Sequence, residues 1–218
     1  ELLGRERKVR RKLGILVSVG CAIVIVSGAM GAGWVLPVVR LPEPTGPYAV
    51  GIVDRELVDE ARGRSLMVSV WYPAAQGGTT APLTHYPDEV ATALGDLAGL
   101  PGIGFQHLRY FMLDVRENAP VAETDTPFPV LVFSHGMVGL RLQNSPNLQE
   151  LASWGYVVVA LDHTDAAVVT VFPNGEARFY DLAKFGIPAD VEPDHQLMNE
   201  HVFPVWVADQ RFVYDILE

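Results

Sequence analysis

Two polar clusters, each closing an apolar run, carry the residues whose types and spacing suit chemistry. The first is Ser134-His135-Gly136, followed by Met137; the second is Asp162-His163-Thr164-Asp165. A turn that leaves a buried strand with His-Gly aims main-chain N–H groups at the strand's C-terminal edge. Donors placed there hold the negative charge that builds on a carbonyl oxygen during acyl transfer. Gly136 permits close approach to the main chain, and the N–H of Met137 is the natural donor; the competing reading is an ordinary tight turn. His135 and His163, one at each strand end, are the candidates for touching a substrate, and the alternative for His163 is a loop hydrogen-bonder. Asp162 and Asp165 read as turn formers, because no partner base can be assigned to them.

Ser134 does not read as a nucleophile. The elbow that presents a catalytic serine has Gly two residues before and two after it. Gly136 stands two after Ser134, but Val132 stands two before, and no serine in the 218 residues has Gly on both sides at that spacing. His195, Glu200 and His201 lack the helical zinc pattern of two histidines four apart with Glu after the first, so no metal site is assigned.

The elements that must position these clusters are legible around them. Residues 130–133 form a short apolar run launched by Pro129, which predicts a strand buried on both faces. Residues 147–155 read as a helix with Leu148, Leu151 and Ala152 on one face, Asn147 as cap and Gly155 as stop. Residues 156–161 read as a second buried strand. Strand, helix, strand at this spacing is a βαβ unit, hence a parallel sheet with ligand chemistry at the strands' C-terminal ends. Upstream, 48–54 and 65–72 read as an antiparallel hairpin feeding the edge of that sheet.

Residues 74–127 form a long insertion between strands. It opens with a flexible stretch, 76–82, then offers a helix over 88–97 and a second short helix over 105–115. Apolar helices in so long an excursion suit a cap over the strand ends, against a purely structural role. After the second cluster, 166–172 and 178–180 predict a small hairpin around Pro173-Asn174-Gly175. Residues 204–218 predict a helix with Pro204 in its first turn and Val205, Ala208, Phe212, Val213 and Ile216 along one face.

Charge divides the chain. Residues 1–12 hold six of its 16 basic and two of its 26 acidic residues, so the remainder carries 10 against 24, a net −14. An acidic body excludes nucleic acid as a natural partner. Residues 13–36 contain no charge, enough for a helix of about 36 Å. The basic segment 1–12 then predicts a signal-anchor with a cytoplasmic N-terminus and an extracytoplasmic body; the rival reading is a cleaved signal peptide. Residues 37–47, with four prolines, predict a stiff extended linker. Cys21 is the single cysteine, which rules out an intramolecular disulfide.

Five spaced motifs carry a more specific likeness. They are Pro44-Thr45-Gly46-Pro47-Tyr48-Ala49-Val50-Gly51; Val70-Trp71-Tyr72-Pro73-Ala74; Phe133-Ser134-His135-Gly136-Met137 with Leu151-Ala152-Ser153-Trp154-Gly155-Tyr156; Asp162-His163-Thr164-Asp165; and the closing helix 209–218. In this order they resemble the platelet-activating factor acetylhydrolase family, in its plasma and bacterial isoform II branch. The resemblance implies an α/β-hydrolase fold, here the N-terminal half of its sheet. It also implies hydrolysis of short or oxidised acyl chains from phospholipids, with neither calcium nor a cofactor, and the Met137 N–H as one oxyanion donor. The family's Gly-x-Ser-x-Gly elbow, acid and base come after the helix that here ends at 218. Residues 48–218 are therefore expected to be a partial domain lacking nucleophile, acid, base and the C-terminal half, and inactive alone; the rival readings are an α/β-hydrolase for other carboxylic or polyester substrates and a non-catalytic membrane-anchored binding protein.

Overall fold

The computed structural model describes residues 41–217, so the basic segment 1–12 and the expected span 13–36 lie outside the described residues. Among the described residues no helix is long and apolar enough to cross a membrane. The hairpin forms as expected and runs longer. β1 (Ala49–Asp59) pairs antiparallel with β2 (Arg64–Ala74) from Ala49↔Ala74 to Asp59↔Arg64. Its turn uses Gly63 at φ 59°, where a β-carbon is unfavourable, and the Asp59 carboxylate accepts from the Arg62 N–H at 3.1 Å. β2 is apolar on both sides, and Leu66 and Trp71 are both fully buried.

β5 (Val130–Ser134), α2 (Ser145–Ser153) and β6 (Val157–Asp162) form the expected βαβ unit, with β5 and β6 parallel from Val130↔Val157 to Ser134↔Leu161. Asn144, not Asn147, occupies the cap position of α2, because Pro146 suits the first helical turn and starts the helix earlier. Leu148 and Ala152 face inward as read.

Two expectations are corrected in the sheet. The hairpin is central rather than marginal: two further strands, β3 (Thr79–Pro82) and β4 (Met112–Glu117), lie beyond it, and the order is β3-β4-β1-β2-β6-β5. The strands beyond β1 come from the insertion: β3, which falls in the stretch read as flexible, and β4, parallel to β1. β4 takes the end of the expected second helix and runs past it, and the helical part is a 3-10 segment at Gly102–Tyr110. The helical spacing of Phe105, Leu108, Phe111 and Met112 masked a switch to period two. Leu113 and Val115 are buried while Met112, Asp114 and Arg116 point outward. Secondly, β5 is not buried on both faces. It is the last strand on its side among the described residues, and Val130 and Leu131 are 48% and 38% exposed. An apolar run reports what its faces prefer, not whether its edge is paired.

The first helix of the insertion stands where expected, as α1 (Pro87–Ala98). β7 (Val169–Val171) and β8 (Ala177–Phe179) make the small hairpin. The closing helix starts earlier than read. A helical turn, α3 (His195–Leu197), passes through a π-helical stretch, Met198–Val202, into α4 (Phe203–Leu217). Its buried stripe carries Asp209 as well as Val213, while Ile216 is half exposed.

The sheet is covered on both faces. α2 packs Leu148 and Ala152 on Ile52, Trp71, Val158 and Ala160. α4 packs Val213 and Phe212 on Leu66, Val68, Val159 and Leu161. Residues 41–47 form neither helix nor strand, bend at Gly46 and Pro47, and are strapped onto α2. Thr45 N–H donates to Glu150 at 2.8 Å, and Gly46 N–H donates to Ser153 Oγ at 3.0 Å. A β-carbon on Gly46 would lie 2.1 Å from the Ser153 carbonyl oxygen, so only glycine lets the strap lie this close.

Candidate functional site

β1 is parallel to β4 and antiparallel to β2, which is antiparallel to β6; β1, β4, β5 and β6 therefore all end at one edge. That edge is where open α/β sheets do chemistry. The three non-glycine residues with positive φ among the described residues all stand in the segments leaving these strands: Asn118 (51°), Val138 (54°) and Asp165 (68°). A β-branched residue such as Val138 takes this conformation only when its surroundings impose it, at a cost of about 1–3 kcal/mol.

Val138 belongs to the loop that leaves β5, and that loop is held at several points. The His135 ring, 2% exposed, donates from Nδ1 to the Gly136 carbonyl at 2.7 Å. With that nitrogen protonated, Nε2 is the acceptor for the His163 N–H at 3.1 Å. The Gly136 carbonyl also accepts from Gly139 N–H at 2.9 Å, and Gly139 returns its own carbonyl to Val168 N–H at 2.8 Å. The peptide joining Gly136 and Met137 is trans, so its C=O and N–H point to opposite sides of one plane. With the carbonyl held twice on the protein side, the Met137 N–H is turned away from it, and among the described residues it donates to no protein acceptor. A β-carbon at Gly136 would meet little: its nearest neighbour is Gln143 Nε2 at 3.9 Å.

Beside this amide lies a hollow of about 410 Å³ lined by Met137, Val138 and Leu140 from the loop, Val90 and Leu94 from α1, and Val168. Its size falls in the range of small-ligand sites, and its wall is almost entirely apolar. The insertion thus contributes both sheet strands and one wall of the hollow.

His163 and Asp209 are fully buried. His163 Nδ1 donates to Asp209 Oδ2 at 3.1 Å, its Nε2 accepts from the Ser134 hydroxyl, and its ring stacks on the Trp206 indole at 4.4 Å. Asp209 also accepts from Arg62 Nη1 at 2.8 Å and Arg64 Nε at 2.9 Å. Burial alone would raise its carboxyl; hydrogen bonds from His163 and Arg64, with the arginine charges, outweigh burial and hold it below the usual carboxylate range. Burial pushes the His135 imidazole below its ordinary value, so it stays neutral, as its acceptor role requires.

Ser134, His163 and Asp209 connect in the order of a hydrolytic triad, but their placement is that of an internal tie. Ser134 lies on the same sheet face as Val132, which packs in the layer with Val213 and Phe212 of α4. His135 and His163, expected as substrate contacts, are both buried and bonded within the protein. Their geometry makes them supports of the loop.

A second buried ion pair closes the loop's far end. Arg141 N–H donates to Asp162 Oδ1 at 2.6 Å, and its guanidinium binds Asp162, Ser69 (2.9 Å) and Asp54 (3.2 Å). Burial opposes this charge, but Asp162 and Asp54 raise the Arg141 pKa above its ordinary value. Asp162 is therefore not a turn former; Asp165, in its left-handed turn, is. Arg141 and Asp209 escaped the sequence reading. Asp209 could have been found as a carboxylate four residues from both Val205 and Val213 on the apolar stripe of α4, where only a paired charge survives burial.

Comparison with known proteins agrees with this architecture. Residues 35–180 match the family described as "Platelet-activating factor acetylhydrolase, isoform II". A chicken (Gallus gallus) platelet-activating factor acetylhydrolase is 31% identical over 155 residues, which cover 68% of this chain and 36% of the relative. The dog (Canis lupus familiaris) protein of the same name is 27% identical over 137 residues, 61% of this chain and 30% of the relative. The chain thus spans about a third of the length of these curated relatives. Among solved structures, a ferulic acid esterase from Streptomyces cinnamoneus superposes with a TM-score of 0.62 at 26% identity, covering 82% of this chain and 49% of the esterase.

Proposed function

We propose a serine ester hydrolase function from one premise: the chain belongs to the platelet-activating factor acetylhydrolase, isoform II, family. These residues supply the oxyanion-binding half of the site. The observation that carries the reading is the Gly136–Met137 peptide, whose carbonyl is held by His135 and Gly139 and whose N–H is free beside an apolar hollow. An N–H fixed before the substrate arrives stabilises the tetrahedral intermediate without reorganising at the moment of reaction. The ester's acyl group occupies the hollow, and its carbonyl oxygen turns toward Met137. Gly136 leaves room for that approach.

The nucleophile is a serine on a Gly-x-Ser-x-Gly elbow outside these 218 residues, with His as base and Asp orienting it. On this reading further chain brings all three and a second oxyanion donor, and the 218 residues alone turn over no ester. The substrate is a phospholipid carrying a short or oxidised acyl chain. The solved ferulic acid esterase favours one other reading, a non-lipid carboxylic or polyester substrate on the same site. Segment 13–36 holds the protein in the membrane with its N-terminus cytoplasmic and the hydrolase extracytoplasmic.

The test is to treat the full-length protein with a fluorophosphonate and map the adduct, then assay release of acetate from a 2-acetyl phospholipid. The proposal expects the adduct on an elbow serine beyond residue 218 and turnover of the lipid. Sustained hydrolysis of a nitrophenyl ester by residues 1–218 overturns the placement of the nucleophile. Turnover of feruloyl or polyester substrates without the phospholipid selects the second reading.

A further inference from the structure

We infer that Gln143 is a further catalytic residue, whose side-chain amide donates to the same carbonyl oxygen as the Met137 N–H; this rests on the ester-hydrolase reading above. Two consecutive turns bring it there. The first closes with Gly139 N–H on the Gly136 carbonyl at 2.9 Å, the second with Gln143 N–H on the Leu140 carbonyl at 2.9 Å. The main chain is anchored on either side of Gln143. Arg141 N–H donates to Asp162 at 2.6 Å, and Ser145, 1% exposed, donates from its N–H to the Leu142 carbonyl at 3.1 Å. The Gln143 backbone is thus fixed, and its side chain folds back across the first turn.

Two glycines record where the carboxamide lies. A β-carbon on Gly139 would stand 1.9 Å from Gln143 Oε1, so the carbonyl end fills the space that a side chain there would need. A β-carbon on Gly136 would stand 3.9 Å from Gln143 Nε2, and outside the adjoining residues no other atom lies within 4 Å of it. The room that Gly136 leaves for a substrate is therefore bounded by the Gln143 amide, and the next N–H along the chain is the Met137 donor. An oxygen that moves into this room by about 1 Å comes within hydrogen-bond range of Nε2. The Gly136 carbonyl does not compete for that amide. Its two lone pairs already accept from His135 and Gly139.

The Gln143 side chain makes no hydrogen bond among the described residues, and it is exposed at the mouth of the apolar hollow. Of the residues lining that hollow only Thr84 and Gln143 have polar side chains, and Thr84 Oγ1 already accepts from Tyr86 N–H at 3.0 Å. No charged side chain lines it. A donor in such a wall meets developing charge with less competition from water. As the serine oxygen bonds the carbonyl carbon, the C=O π pair moves onto oxygen and the serine proton goes to the histidine base. Gln143 gives up no proton; it only donates a hydrogen bond. Because that bond strengthens as the oxygen gains charge, it acts on kcat rather than KM.

The experiment uses the full-length protein, with turnover of nitrophenyl acetate and inhibition by a methyl trifluoromethyl ketone, which adds to a serine as a tetrahedral alkoxide. Gln143→Leu keeps the bulk and removes the donor; Gln143→Glu keeps the shape and puts a negative oxygen in its place. In Gln143→Leu kcat falls about 10²-fold, as loss of an oxyanion donor does, with KM nearly unmoved. The ketone's inhibition weakens in step with kcat, and Gln143→Glu is the slower of the two variants. Urea midpoints stay at the native value, since the side chain is exposed and unbonded. If kcat of Gln143→Leu stays within about threefold of native, or Gln143→Glu works as well as native, the donor role is overturned and the ester reading stands. A rise in KM with ketone inhibition unchanged overturns it too, by reducing Gln143 to a packing contact. No turnover by the native protein removes the ester reading, and the role of Gln143 with it.

Discussion

Replacing His135 by Asn and by Gln separates the two jobs of its ring. An Asn amide can stand where Nδ1 stands and keep the donation to the Gly136 carbonyl, made at 2.7 Å in the native protein. It loses the Nε2 acceptor, so the His163 N–H, bonded at 3.1 Å now, is left buried and unpaired at a cost of about 1–3 kcal/mol. Loss of the edge-to-face contact with Trp206, at 5.5 Å, adds about 1 kcal/mol. His135→Asn should therefore destabilise by about 3 kcal/mol. A Gln side chain reaches the Nε2 position and keeps that acceptor but surrenders the Gly136 bond. Because that carbonyl retains Gly139 N–H at 2.9 Å, it is not orphaned, and the total cost is nearer 2 kcal/mol. Function should rank the other way. Gln releases the plane that aims Met137, and since deleting a whole oxyanion donor costs about 10²–10³ in kcat, a loosened one should cost about tenfold or more. Urea unfolding of the chain and kcat on nitrophenyl acetate for the full-length enzyme measure the two rankings. If activity simply follows stability, with Gln the better enzyme as well as the more stable protein, the peptide-aiming argument is wrong.

Asp209→Asn should cost about 3–5 kcal/mol, because Arg62 and Arg64 lose a fully buried counter-charge; a urea midpoint shift reads it, and a change below 1 kcal/mol would contradict the pairing. Stability should fall with acid in two stages. His135 has a depressed folded pKa, so its contribution is complete above about pH 6.5 and declines below it; Asp209, also depressed, contributes fully above about pH 4 and is lost as pH falls through its lower folded value. Urea midpoints across pH 3–8 check this, with His135→Asn erasing the upper stage and Asp209→Asn the lower. Ser134 should resist fluorophosphonate in the full-length protein, and an adduct mapped to it by mass spectrometry would turn the internal tie into a working nucleophile. Arg141→Met should destabilise by about 3–5 kcal/mol by stranding the buried Asp162, whereas Arg141→Lys keeps the charge but not the fork and should fall between Met and native in a thermal melt.

What the sequence disclosed tracks what repeats locally. The βαβ unit around α2, the first hairpin and the Met137 loop were legible because apolar periods and turn residues are written into contiguous stretches. β4 was missed because Phe105–Met112 spacing kept a helical rhythm up to the residue where Leu113 and Val115 begin to alternate. The position of the hairpin within the sheet was beyond reach for a related reason, since pairing between β1 and β4 joins residues 65 positions apart (Ile52 to Glu117) and leaves no local trace. The supporting charges were hidden for another cause. Asp162, Arg141 and Asp209 are ordinary polar residues until folding removes their water, and only their partners explain why they lie inside. The polar cluster at the end of β6 drew attention to His163, but its spacing could not show that the ring is buried and bonded to Ser134 and Asp209.

The Asp209 knot also has a kinetic corollary. Arg62 and Asp209 are separated by 147 positions, so α4 acquires its anchor only after the β1–β2 turn has formed and the intervening chain has condensed. Contacts that close so large a loop belong on the native side of the barrier, and weakening them should hasten unfolding while leaving the refolding limb of a chevron nearly unmoved. The same carboxylate that steadies the His163 ring would then set how long the folded chain persists, more than how quickly it forms.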